Sequence, residues 1–266
     1  MYRSIIFLLF FFSAISNASY KTVEHKNISV GDYSLSFNYI SGSEPAIVFE
    51  SGSGVESSHW NKIMQSLSSK IDNAIISYDR AGYGKSDLPM EPYQIESEVL
   101  WLRKGLEHLG YANTIVYVGH SYAYYLLKMY EAKYTNSIHS MIYIDPITID
   151  FIDAMGGIEE ELKHFDPSLL PDNNLGKSLL RETKAVPDTF NKVKKLKVSR
   201  ATSCFVISAE SPEWSSQKEI AEWKSGHKKL STQCGNDVVV AKGSNHDVPS
   251  HSPDLIVNKL VSILGQ

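Results

Sequence analysis

Two cysteines stand in 266 residues, and no set of His, Cys, Asp and Glu is spaced as metal ligands are. A structural or catalytic metal is therefore not expected. Neither G-x-G-x-x-G nor a P-loop occurs, so no dinucleotide or phosphate cradle is written in the chain and no cofactor is expected. Lysine and arginine number 26 against 30 acidic residues, a formal charge of −4 with no massed basic segment. That balance speaks against a nucleic-acid partner. No repeat of solenoid or propeller period is present. With 42% hydrophobic, 11% aromatic and 21% charged residues the chain is neither disordered nor of low complexity, and one sizeable core is within its reach.

Long apolar runs are missing too. Residues 5–15 (IIFLLFFFSAI) give 11 positions, where a membrane span needs about 20. The run follows Met1-Tyr2-Arg3 and precedes the small residues Ser16-Asn17-Ala18. Residues 1–18 therefore read as a secretory signal peptide cleaved after Ala18, with an exported product, periplasmic or secreted, that keeps no stable membrane span. Cleavage removes Arg3 and no acid, taking the formal charge from −4 to −5. Export also changes how the cysteines read. Cys204 opens one expected strand and Cys234 precedes the next, near one sheet edge. A disulfide closing a loop of about 30 residues would stabilise by about 3–4 kcal/mol in the chain-entropy model. Two separate buried thiols are the other reading.

What is present is a rhythm. Residues 22–30 and 33–39 form an expected hairpin around Gly31-Asp32. Short β-rich apolar runs then follow at 46–49, 74–77, 114–118, 141–144, 204–208 and 238–241, without the clean alternation of a one-sided sheet. Between them lie helical stripes: Trp60, Ile63, Met64 and Leu67, then 95–109, 124–134 and 253–264. The order predicts an α/β fold, a mostly parallel doubly wound sheet preceded by an antiparallel hairpin. Residues 146–203 break the rhythm, and a crossover of that length is expected to hold more than one helix and form a lid. The core is then 19–145 together with 204–266. Lysines near 192–197 read as a solvated helix face.

Chemistry concentrates in Gly119-His120-Ser121-Tyr122-Ala123, between the strand 114–118 and a helix. Small residues two before and two after Ser121 permit a turn that lifts its hydroxyl above the sheet. Three further segments accompany it: Ile47-Val48-Phe49-Glu50-Ser51-Gly52-Ser53-Gly54 before Trp60, Tyr78-Asp79-Arg80-Ala81-Gly82-Tyr83-Gly84-Lys85-Ser86, and Gly243-Ser244-Asn245-His246 before Pro253. Over roughly residues 33–265 the chain resembles the α/β-hydrolase superfamily, its lipase- and esterase-like members in particular. Ala123 replaces the commoner second glycine, and Asn245 a glycine.

That resemblance implies a serine hydrolase cleaving a small-molecule carboxylic ester or related acyl substrate. Ser121 would be the nucleophile and His246 its general base. The oxyanion donors would be the amides of Tyr122 and Ser53. The acid stays open among Asp145, Glu210 and Glu213. His120 and Asp79-Arg80 would be supporting structure, Tyr122 would line an acyl pocket, and His251 is a near rival base. Peptidase, thioesterase or acyltransferase activity on the same fold is an alternative, as is a binding protein that has lost catalysis. Dehalogenase and epoxide-hydrolase resemblances would need Asp at 121. Oligomeric state is not legible.

Overall fold

The computed structural model of the chain describes residues 21–163, 165–196, 203–212 and 216–265. The expected signal peptide, Lys197 and Glu213 lie outside the described residues. Eight strands among those described form one sheet: β1 (Glu24–Ser29), β2 (Ser34–Ile40), β3 (Ser43–Glu50), β4 (Asn73–Tyr78), β5 (Ile115–His120), β6 (Ile138–Ile144), β7 (Ser203–Ala209) and β8 (Val239–Ala241), in the order β1-β2-β4-β3-β5-β6-β7-β8. The first two make the expected hairpin, Ser29 opposite Ser34, with Val30 N donating to Tyr33 O at 2.9 Å across the turn. β2 pairs antiparallel with β4, and the remaining pairings are parallel. β3 starts three residues before the expected 46, because Ser43 already bonds to Asp72 O and pairs with Asn73.

The helices are α1 (Asn61–Ser68), α2 (Ile95–Leu109), α3 (Ala123–Tyr134), α4 (Ile149–Ala154), α5 (Ile158–Leu162), α6 (Asn174–Lys194), α7 (Gln217–Gln233), α8 (Val248–His251) and α9 (Pro253–Leu264). They cover both sheet faces, which is why the central strands show no alternation. Ile47, Phe49, Val116 and Val118 pack with Trp60, Ile63, Met64 and Leu67 and with Ile256 and Leu260 of α9 on one face. Ala46, Val48, Ile115 and Tyr117 pack with Leu102 and Leu106 of α2, Leu127 of α3 and Trp223 of α7 on the other.

Between β6 and β7 run α4, α5 and α6. Asn173 caps α6, accepting from Gly176 N at 3.0 Å. The helix continues through Pro187, whose ring removes one N–H from its ladder. On this partly solvated face Lys192 pairs with Glu96 (3.0 Å) and Asp188 (2.8 Å), and Lys194 with Asp153 (2.6 Å). Cys204 of β7 and Cys234, at the end of α7, form a disulfide with their Cα atoms 5.0 Å apart. No helix among the described residues is long and apolar enough to cross a membrane.

Candidate active site

β5 is buried along its whole length and ends in a bend at Ser121, where φ is 56°. A non-glycine residue in this left-handed region costs about 1–2 kcal/mol. Gly119 makes the bend sterically possible. A Cβ there would stand 2.5 Å from Leu127 Cδ1 and 2.8 Å from Ala123 Cβ, so the Ala123 methyl occupies the space a side chain at 119 would need. The result is a half-buried Ser121 at the C-terminal edge of the sheet, with α3 leading away from it.

His246 arrives from the loop after β8. Gly243, at φ 71°, turns that loop, and Ser244 O accepts from Ser211 N at 3.2 Å. The ring meets Ser121 directly: Nε2 lies 2.9 Å from Ser121 Oγ, and Nδ1 lies 2.7 Å from Asp145 Oδ2. A carboxylate can only accept, so Nδ1 carries the proton and Nε2 is left to accept the Ser121 O–H. This arrangement can move the hydroxyl proton to Nε2 while the carboxylate stabilises the charged ring.

Asp145 follows β6 and is fully buried. Its Oδ1 accepts from Ala209 N (2.8 Å) and from Trp223 Nε1 (3.0 Å). Burial pushes this carboxyl upward, but His246, His227 and Trp223 outweigh that and hold it below the usual carboxylate range. The other acid considered, Glu210, is exposed and turns its Oε2 to the Gly243 amide, 2.8 Å away.

The loop after β3 lies against the bend, since a Cβ on Gly52 would stand 3.3 Å from Ser121 Cβ and from His120 Nδ1. Ser53 follows in that loop. Tyr122 heads α3, where an α-helix leaves its first N–H groups without intrahelical partners. Its ring is buried, with its hydroxyl donating to Tyr93 Oη at 3.2 Å.

His120 is a brace. Its Nε2 donates to His246 O at 2.8 Å, and burial pushes its pKa down to about 3, so the ring is neutral. His59 stacks edge-on beside it and binds Asp247 Oδ1 at 2.7 Å. His251, the near rival, points Nδ1 back at Asp247 O in its own helix turn, at 2.9 Å.

Sequence reasoning did not single out Trp223, His227, Glu50 or Glu182. Trp223 and His227 share one face of α7 at i, i+4 spacing, a signal of burial that does not name a partner. A family model described as alpha/beta hydrolase fold matches residues 45–243. The uncharacterized protein YqjL of Bacillus subtilis (strain 168) is 25% identical over 214 residues, 79% of each chain. Among solved structures, the chain is similar to the haloalkane dehalogenase DatA of Agrobacterium tumefaciens C58 (TM-score 0.66, 14% identity, covering 91% of this chain and 96% of that one). It is similar as well to the epoxide hydrolase CorEH (TM-score 0.66, 14% identity, 92% and 99%).

Proposed function

As a chain that belongs to the alpha/beta hydrolase fold family, this protein is a hydrolase, and we propose that it cleaves a carboxylic ester or related acyl bond through an acyl-enzyme. The observation that carries this reading is the pair of bonds in series, Ser121 to His246 at 2.9 Å and His246 to Asp145 at 2.7 Å. Serine at the bend supports acyl chemistry, since the dehalogenase and epoxide-hydrolase route calls for a carboxylate nucleophile at this position.

In this mechanism Ser121 Oγ attacks the acyl carbon and its proton passes to His246 Nε2. The carbonyl oxygen becomes an oxyanion, held by the Tyr122 and Ser53 amides. Collapse breaks the carbon–oxygen bond to the alcohol, which leaves with the proton from Nε2. Water then repeats the sequence: His246 takes its proton, hydroxide adds to the acyl carbon, and Ser121 leaves as the alcohol, releasing the carboxylic acid. Asp145 keeps Nδ1 protonated and stabilises the imidazolium that forms within each half.

The described helices between β6 and β7, α4 to α6, serve as a cap above the reacting edge, and the substrate is a small molecule. The Cys204–Cys234 bridge supports an oxidising compartment, in keeping with export by residues 1–18. A fluorophosphonate probe tests the reading: one equivalent should attach to Ser121, and the label should vanish in Ser121→Ala and fall steeply in His246→Ala. A folded wild-type protein that takes no label and turns over no p-nitrophenyl ester, whatever the chain length, would be a binding protein instead.

A further inference from the structure

A charged cluster lies beneath the loop that follows β3, and the mechanism above makes no use of it. Arg80, 3% exposed, sits between two carboxylates, with Nη1 2.9 Å from Glu50 Oε1 and Nη2 3.1 Å from Glu182 Oε2. Glu50 closes the sheet side of the cluster, where Tyr78 and Tyr117 both donate to its Oε2. Glu182, 2% exposed, comes from α6, more than a hundred positions further along the chain. Buried ion pairs are weak evidence for stability, because desolvation opposes their attraction. What the cluster holds is more informative.

Arg80 grips the loop itself. Nη1 donates to Ser51 O and Nη2 to Gly52 O, the latter at 3.0 Å. The Ser53 hydroxyl donates to the remaining Glu182 oxygen, Oε1. The peptide between Gly52 and Ser53 is trans, so its N–H points opposite to its carbonyl. With the Gly52 carbonyl drawn onto the guanidinium, the Ser53 N–H must face away from it. Gly52 meanwhile lies close against Ser121, since a Cβ on it would stand 3.3 Å from the Ser121 Cβ. Two additional contacts seat α6 here: Leu179 lies 3.6 Å from where a Cβ on Gly54 of the same loop would stand, and Ser178 Oγ donates to Gly82 O, in the loop after β4, at 2.8 Å.

We propose that Glu182 is a positioning residue for acyl transfer: from α6 it fixes both the Arg80 guanidinium and the Ser53 hydroxyl, and so aims the Ser53 amide at the developing oxyanion. This rests on the serine-hydrolase reading, and on Ser53 as an oxyanion donor. It joins the seating of α6 to the competence of the loop, so that one carboxylate both docks the helix and presets the hole. Preset donors act on the transition state more than on the ground state. The loss should therefore fall on kcat and leave KM nearly untouched.

The test is a double-mutant cycle on p-nitrophenyl acetate with Ser53→Ala, Glu182→Gln and the pair. Ser53→Ala removes the link without disturbing the buried ion pair, so it stays informative if Glu182→Gln folds poorly by thermal melt. Expected are kcat losses of about tenfold for Ser53→Ala and about 10–100-fold for Glu182→Gln, with KM within about twofold. The pair should be no worse than Glu182→Gln alone, since the Ser53 hydroxyl acts only through Glu182. Multiplying losses, unchanged kcat in both single variants, or losses confined to KM would overturn the role of Glu182 while leaving fluorophosphonate labelling of wild-type Ser121 intact. Absence of wild-type labelling and turnover would instead sink the serine-hydrolase reading, and this role with it.

Discussion

Ser121 and Asp145 end neighbouring parallel strands in the same left-handed backbone conformation, at φ 56° and 42°, the non-glycine positions of positive φ among the described residues. The two bends are tied together: Ser121 N donates to Ile144 O at 3.0 Å, and Ile147 N donates to Ser121 O at 3.3 Å. Strain of this kind persists where the surroundings over-determine the backbone, and here it lifts hydroxyl and carboxylate onto one edge.

The strain at Ser121 should be measurable. Ser121→Gly relieves it and Ser121→Ala does not, so the glycine variant should unfold in urea with about 1 kcal/mol more stability than the alanine variant. Equal stabilities would mean that the bend costs nothing.

The acid should separate cleanly. Asp145→Asn leaves an amide where a carboxylate fixes the His246 tautomer, and kcat on p-nitrophenyl acetate should fall about 10²–10⁴-fold. Glu210→Gln touches only the Gly243 turn and should stay within about threefold. A steep loss in Glu210→Gln with Asp145→Asn active would reverse the assignment.

Trp223→Phe keeps the ring packed against Phe151, 4.8 Å away, and deletes one donor to Asp145. The Asp145 carboxyl, held low, should rise toward the usual carboxylate range. A depressed carboxyl contributes stability that is full above its unfolded value, about 3.9, and is lost as pH falls through the lower folded value. Destabilisation by Trp223→Phe should therefore be present at neutral pH and fade below about pH 3.9, as urea melts at several pH values would show.

The bridge should matter to stability and not to chemistry. Cys204→Ser/Cys234→Ser should lose about 3–4 kcal/mol against urea, and dithiothreitol should reproduce that loss in the wild type, with kcat at low temperature unchanged.

Much of this architecture was legible because it is periodic. The hairpin, the two-sided central strands, and helices over 95–109 and 253–264 follow from apolar spacing, and the strained bend from Gly119 and Ala123 flanking Ser121. The choice among Asp145, Glu210 and Glu213 was not legible. Asp145 and Glu210 both follow parallel strands, and only the placement of the loop after β8 decides which carboxylate meets the ring. Trp223 and Glu182 were invisible for a related reason. Their partners lie 78 and 102 positions away in Asp145 and Arg80, and a helix pattern records that a residue is buried without recording against what.

The covalent step is tested most directly by acid-quenching the enzyme during turnover of p-nitrophenyl acetate and mapping the adduct by peptide mass. One acetyl group on the peptide containing Ser121, absent in Ser121→Ala, is the predicted result. Turnover with no acetyl on that peptide, or with the acetyl on another residue, would contradict it.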